Sequence, residues 1–353
     1  MPRIIFLFLL ILAGLGLAVA CGGPGPAIEA PATEPALPAA AEAPGPAPAE
    51  FDLQAHRGGR GIRPENTLPA FEYALDQRVT TLELDLHLTL DGQVVVIHDA
   101  AIGRHCRLDP QANAPPAPDP QAADVDEAEL LISRLTLAQI RQYQCDGNPN
   151  PSRFPHQAAA TMPLTQDNYR LPTLAEVFQL AADYAASDLK TGAQRRHAAG
   201  VRFNIETKRK PGQPELIADD FDGQSPGLFE ERIVEIVQQF DLVDRVTIQS
   251  FDHRSINVIA QLDPAIQTVA LTSRPADPAG IARQTTAAVW SPNHETLTAR
   301  GIEAAHEAGL AVIPWTVNDP DRMGALIDLG VDGLITDFPA VLAAILEERG
   351  IAY

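Results

Sequence analysis

The sequence predicts an α/β chain built as a TIM-type (β/α)8 barrel, with a β-hairpin and a loop insertion after the second strand. Three observations carry this. From residue 52 onward, short β-like runs alternate with amphipathic helical stretches, and that alternation implies a parallel sheet. One run follows its predecessor across only Asp91-Gly92, a strong hairpin signal. Setting that antiparallel run aside leaves eight β units, the number that closes such a barrel. A doubly wound sheet is the alternative, but "GGRGIRPE" lacks the glycine spacing of a dinucleotide-binding turn.

In chain order, the first element is a leader. Residues 1–21, "MPRIIFLFLLILAGLGLAVAC", hold one arginine, an apolar run and small residues before a cysteine. This is the layout of a secretory signal. The end of it resembles a bacterial lipoprotein cleavage site, whose cysteine becomes the lipidated first residue. Membrane attachment through Cys21 is the implied expectation, with the protein facing the periplasm or the cell surface, or secreted if Cys21 stays unmodified. Residues 22–50 are almost entirely Pro, Ala, Gly and Glu, a composition that buries no core and predicts an extended tether. The barrel then occupies 51–353.

Its β runs are "DLQAH" (52–56), "TLELDLHL" (81–88), "RFNIET" (202–207), "RVTIQS" (245–250), "TVALT" (268–272), "AAVW" (287–290), "AVIPWTV" (311–317) and "DGLIT" (332–336). The hairpin partner is "VVVIH" (94–98). Helical stretches between them include "LFEERIVEIVQQF", "RSINVIAQL" and "DRMGALIDLG". Between about 99 and 171 the repeat is lost. This insertion is Pro- and Asp-rich, with one stretch of helical pattern, "SRLTLAQIRQYQ". Of the three cysteines, Cys106 and Cys145 remain once Cys21 is set aside. In an oxidising compartment they can pair; two free thiols are the alternative.

The net charge of -20 excludes a nucleic-acid-binding role, which needs clustered Lys and Arg. An anionic substrate would need local positive charge, from a metal ion or a few placed cations. Working residues of a parallel barrel gather at the C-terminal strand ends. There the sequence offers His56 and Arg57, then Glu83 and Asp85, then Glu206 and Lys208, and Trp315 on the seventh unit. Glu83 and Asp85 are two apart on a strand and share a face. Three carboxylates on adjacent strands lose hydration and repel one another, so something positive must compensate. An all-oxygen set fits one divalent cation, Ca²⁺ or Mg²⁺, better than Zn²⁺; a salt-bridge network with Arg57 and Lys208 is the alternative. A two-residue Asp91-Gly92 turn pairs Asp85 with His98 and brings a second histidine to the cluster. Two histidines make an acid–base pair, and Arg57 and Lys208 suit phosphate oxygens. Together these are the parts phosphoryl transfer requires. His87, His105 and His294 receive no role; His87 lies on the ligand strand and could reach the rim of the site, with the surface as its default place.

The ordered motifs "AHRGG", "PENTLPAF", "LELDLHLTLDGQVVVIHDA", "NIETK", "IQSFD", "PWTVN" and "GLITDFP" resemble the glycerophosphodiester phosphodiesterases over roughly residues 52 to 340. The resemblance implies hydrolysis of a small-molecule glycerophosphodiester to sn-glycerol 3-phosphate and an alcohol. It implies Glu83, Asp85 and Glu206 as metal ligands, His56 as proton acceptor and His98 as proton donor. Arg57 would then clamp phosphate, Lys208 balance charge, and Trp315 pack on the glycerol carbons unless it is a core residue. The glycines after Arg57 would let the backbone turn sharply beside the substrate. Glu65 and Asn66 would start the next helix, with an orienting bond to His56 or Arg57 as the further possibility. Two other functions stay open: a phospholipase-D-like phosphodiesterase acting on lysolipids, which an apolar insertion would favour, and a non-catalytic surface binding lipoprotein, whose mark would be a missing ligand or histidine.

Overall fold

Strand β1 (Asp52–Ala55) lies between two parallel neighbours, β2 (Thr81–Leu88) and β11 (Gly333–Thr336). From β2 the sheet continues in parallel through β6 (Arg202–Thr207), β7 (Val246–Ser250), β8 (Gln267–Thr272), β9 (Val289–Pro292) and β10 (Ala311–Val312). The ring closes by backbone bonds from Asp332 N to Val312 O (2.9 Å) and from Val317 N to Ile335 O (2.9 Å). This is the expected eight-stranded barrel, seen in a computed structural model that describes residues 50–353 except Ala112. The leader over 1–21 with Cys21, and the tether up to residue 49, lie outside the described residues. No helix among the described residues is long and apolar enough to cross a membrane.

Helices α1 (Leu68–Asp76), α3 (Leu174–Ala186), α4 (Gly192–Ala198), α5 (Leu228–Gln239), α6 (His253–Leu262), α7 (Pro278–Gln284), α8 (Ala299–Glu307), α9 (Pro320–Asp328) and α10 (Pro339–Arg349) accompany the strands, and a single turn, α2 (Leu137–Ile140), lies in the insertion. Alternation sorts each strand. On β2, Leu82, Leu84, Leu86 and Leu88 join the main apolar cluster with residues such as Phe71, Phe178 and Phe229 from the helices. Thr81, Glu83, Asp85 and His87 take the other face. The register pairs Glu83 with Asn204 and Asp85 with Glu206, so β6 carries its polar residues on the same side. Both faces of β2 are buried, as in a covered parallel sheet. The run "AVIPWTV" is strand only at Ala311–Val312, because Pro314 has no N–H to give the ladder.

The hairpin departs from expectation by one residue. Strand β3 (Val94–Val96) pairs Leu86 with Val96, His87 with Val95 and Leu88 with Val94. The connection is a three-residue loop, Leu90-Asp91-Gly92, with Gly92 at φ 73°. A left-handed glycine in the last loop position is what such a loop needs. The Asp85 carbonyl therefore accepts from Ile97 N (2.9 Å), not from His98. A slip of one residue reverses faces along a strand. His98 escapes that consequence because the chain leaves the ladder after Ile97, whose N–H still bonds the Asp85 carbonyl.

The insertion is more structured than its composition suggests. Cys106 and Cys145 are joined as a disulfide, beside the short antiparallel pair β4 (Arg107–Leu108) and β5 (Tyr143–Gln144). Ile102, Leu130, Ile132, Leu135, Ile140 and Tyr143 form a second apolar cluster around it. The helical pattern over 133–144 gives only α2. Burial of Tyr143 and Cys145 in that cluster draws the chain into β5 instead.

Candidate active site

The barrel brings Glu83, Asp85 and Glu206 together, with one carboxylate oxygen of each within 4.8 Å of the others. All three are buried. Burial, with the charges of Asp85 and Glu206, pushes the Glu83 carboxyl well above its ordinary value. Burial acts the same way on Asp85, but Lys208 and Arg57 outweigh it and hold that group well below. Burial also raises Glu206, against the opposing pull of Lys208.

The cluster's cations come from the strand ends. Arg57 sits just beyond β1 at φ 53°. Its backbone N–H donates to Glu83 Oε2 (2.9 Å), its Nη1 donates to Glu65 Oε1 (2.7 Å), and its Nε lies 3.2 Å from Asp85 Oδ2. Lys208 Nζ is 2.8 Å from Glu206 Oε1 and 3.4 Å from Asp85 Oδ1. The second contact is an ion pair without hydrogen-bond alignment: Asp85 Oδ1 is buried and has no hydrogen-bond partner among the described residues. An unpartnered carboxylate oxygen amid three all-oxygen donors fits a hard divalent cation. The residues present thus suit Ca²⁺ or Mg²⁺.

His56 is buried at the end of β1. Its Nδ1 lies 2.6 Å from Asp337 Oδ1, and Arg57 Nε donates to its Nε2 (3.3 Å). Burial first, then the charges of Arg60 and Arg57, lower its pKa to about 4, against the opposing effect of Asp337. Asp337 itself is held low, chiefly by His56 and Arg60 acting against burial. The two directions agree on one state at neutral pH: a neutral imidazole with its proton on Nδ1, donated to an ionised Asp337. Nε2 carries the lone pair, which takes the long 3.3 Å bond from Arg57 Nε.

His98 reaches the same cavity from beyond β3. Its Nδ1 is 2.7 Å from Asp99 Oδ1. The cavity, of about 350 Å³, is lined by His56, His98, Lys208, Arg60, Arg153 and Trp315 among others. Trp315 is half-buried, donates from Nε1 to Ser291 O (3.0 Å) and stands edge-on to Phe251 with ring centroids 5.5 Å apart. Every site residue expected from the sequence therefore borders one cavity or its carboxylate floor. His87 is a correction: it is buried on β2, with Nε2 3.3 Å from the His98 carbonyl. The glycines turn the backbone as expected, Gly58 at φ +78° and Gly59 at φ +86°, and a Cβ on Gly58 would also lie 2.8 Å from the Ala70 backbone, so that position serves packing on α1 as well. Helix α1 is capped by Thr67; Asn66 instead donates from Nδ2 to Asp85 Oδ2 (2.9 Å).

Several contributors carried no assignment from sequence. Asp337 follows β11, where the strand-end rule that selected the others applies equally. Gln249, on β7, donates to Glu83 Oε1 (2.8 Å); its parity on "RVTIQS" points inward. Arg60 Nε donates to Asp337 Oδ1 (2.7 Å). Arg153 comes from the insertion and had no local signal.

A family model for the glycerophosphoryl diester phosphodiesterase family matches residues 56–341. A glycerophosphodiester phosphodiesterase of Bacillus altitudinis is 28% identical over 297 residues, covering 83% of this chain and 97% of its own. A structure from Silicibacter pomeroyi, assigned as a glycerophosphoryl diester phosphodiesterase, superposes with TM-score 0.69 at 25% identity, over 87% of this chain and 96% of that one. An Oleispira antarctica phosphodiesterase, solved in complex with the product sn-glycerol-3-phosphate, shares the fold with TM-score 0.60 at 21% identity, over 84% of this chain and 97% of its own.

Proposed function

The chain belongs to the glycerophosphodiester phosphodiesterase family, and from that premise we propose that it hydrolyses glycerophosphodiesters to sn-glycerol 3-phosphate and an alcohol by acid–base catalysis between two histidines. The observation that carries the proposal is the cavity itself: His56 and His98 line it together, over three carboxylates and with Arg60, Arg153 and Lys208 around them.

A divalent cation held by Glu83, Asp85 and Glu206 supplies, when bound, charge neutralisation at the phosphoryl oxygens. His56 accepts at Nε2 a proton from the nucleophile, either water or the glycerol 2-hydroxyl, whose attack forms a cyclic phosphate that water then opens to sn-glycerol 3-phosphate. Asp337 keeps the other ring proton in place and stabilises the imidazolium that forms. His98, held by Asp99, gives a proton to the leaving alcohol oxygen. Lys208 and Arg57 balance charge at the phosphoryl group, Arg57 through a guanidinium already fixed by Glu65. Arg60 and Arg153 bind at the cavity wall, and Trp315 packs on the glycerol carbons. The experiment is release of sn-glycerol 3-phosphate from glycerophosphocholine, glycerophosphoethanolamine and glycerophosphoglycerol. His56→Ala and His98→Ala should each lower turnover by roughly 10²–10⁴. Near-normal turnover in either variant removes that histidine from the mechanism.

The same reading extends to location. Cys21 would carry lipid and tether the barrel to a membrane outside the cytoplasm, and the Cys106–Cys145 disulfide supports an oxidising compartment. Labelled fatty acid should enter the chain and be lost in Cys21→Ala; equal labelling of both would remove the anchor.

A further inference from the structure

The interior of the barrel is not uniform. From β8 to β11 the inward residues Val269, Val289, Ile313 and Ile335 form an apolar cluster, the usual filling of such a barrel. On β1, β6 and β7 the interior holds amides instead. Gln54, Asn204 and Gln249 are all buried, and the register sets Gln54 beside Ile335 and Gln249 beside Val269. Burying an amide is costly unless it is hydrogen-bonded, and branched apolar residues fill the rest of the same interior. Packing alone gives no reason for amides here.

Their hydrogen bonds run in one direction. Asn204 Nδ2 donates to Gln249 Oε1 (3.1 Å) and to Gln54 Oε1 (2.8 Å), while Asn204 Oδ1 accepts from Thr247 Oγ1 (3.2 Å). With its oxygen held by Asn204, Gln249 turns its Nε2 toward the carboxylates and donates to Glu83 Oε1 (2.8 Å). A flipped Gln249 amide would set oxygen against carboxylate on one side and N–H against N–H on the other. Glu83 Oε2 accepts from Arg57 N (2.9 Å). Both oxygens of this carboxylate are therefore fixed, and each keeps a lone pair for an ion. At the far end, Gln54 Nε2 donates to Asp52 Oδ2 (2.9 Å). Gln54 and Asn204 also line a cavity of about 430 Å³ at the N-terminal strand ends.

We propose that Asn204 and Gln249 are positioning residues for a divalent cation. Asn204 aims the Gln249 amide, and Gln249 holds Glu83 in the orientation that completes the site with Asp85 and Glu206. The inference rests on the metal-dependent reading of that site given above.

The test is calorimetric titration of the purified, metal-stripped chain with CaCl₂ and, separately, MgCl₂, without substrate and beside a thermal melt. The wild type should bind one of these ions. Gln249→Met, close in volume, should weaken binding of that ion by roughly 10- to 100-fold. Asn204→Ala should weaken it by roughly three- to tenfold. Added to Gln249→Met, it should change binding by less than about twofold, because the amide it aims is then gone. Asn204 borders the lower cavity, whose water can take up the freed bonds, so Asn204→Ala decides the question even where Gln249→Met does not fold. A purely structural role would lower the melting temperature and leave the Kd of the ion unchanged. A Kd within about twofold of the wild type in either folded variant, or an undiminished effect of Asn204→Ala in the Gln249→Met chain, overturns the inference and leaves the metal site standing. A wild type that binds neither ion overturns both.

Discussion

Replacing Asp337 by Asn tests the arrangement of His56 at a residue that touches no reacting atom. Asp337 is fully buried and accepts from three donors: His56 Nδ1 at 2.6 Å, Arg60 Nε at 2.7 Å and Asn318 Nδ2 at 2.6 Å. An asparagine keeps the shape but offers one oxygen where the carboxylate offered two. With that oxygen facing His56 and Arg60, its amide N–H groups confront the Asn318 donor, which costs about 1–3 kcal/mol of stability. The effect on turnover should be larger. The charge that stabilises a protonated His56 is lost, and roughly 10²–10⁴ in kcat should go with it, since the imidazolium forms in the reaction. KM should change little. The pH profile gives the sign independently. Asp337 raises the His56 pKa against burial, Arg60 and Arg57, which together leave it at about 4. Removing the carboxylate lowers it further, so the acid limb of kcat/KM should move to lower pH while the plateau falls. The assay is release of sn-glycerol 3-phosphate from pH 3 upward (about pH 3 to 9), beside a thermal melt. A folded variant with a wild-type plateau, or an acid limb displaced upward, would refute the positioning role.

Further expectations concern other parts of the molecule. Glu72 is buried and accepts from Thr165 N (2.8 Å), Thr165 Oγ1 (2.8 Å) and Lys190 Nζ (2.7 Å), so Glu72→Ala should cost about 3–5 kcal/mol in chemical denaturation, and a loss under about 1 kcal/mol would contradict that. Because these partners outweigh burial and depress the Glu72 pKa, its stabilisation is present above the unfolded value and should disappear as pH falls through the folded one, seen as an acid-sensitive melt that Glu72→Gln flattens. The Cys106–Cys145 bridge spans 39 residues, and the double Ser variant should lose roughly 4 kcal/mol by chain entropy, read by protease susceptibility of the insertion; unchanged cleavage speaks against it. Arg153 is half exposed at its side chain (53%) and 3.9 Å from Asp337 Oδ2, so Arg153→Ala should raise KM by roughly tenfold with kcat nearly kept; an unchanged KM would free it of substrate contact.

The barrel was legible because its signals are periodic and local. Alternation on "TLELDLHL" puts Glu83 and Asp85 on one face whatever their neighbours do, and the strand-end rule placed His56, Arg57, Glu206 and Lys208 without knowledge of distances. What failed depended on backbone detail or on distant chain. The Asp91-Gly92 pair signals a hairpin, but whether Leu90 joins the loop is decided by local turn geometry, and the register moved by one. His98 still reached the cavity, for a reason other than the one that predicted it. Arg153 comes from a Pro-rich insertion whose path is set by a disulfide and a second apolar cluster. The unpartnered Asp85 Oδ1 and His87 Nδ1 are properties of packing, and no residue pattern announces them.

The most direct measurement is sn-glycerol 3-phosphate release by the purified chain after exhaustive chelation, then with Ca²⁺ or Mg²⁺ restored, with Glu83→Gln alongside. Glu83, Asp85 and Glu206 as ligands predict that release stops on chelation, returns with one of the two ions, and stays low in the variant at ordinary metal concentrations. Release that persists through chelation, or a Glu83→Gln chain restored as fully as the wild type, would contradict the account.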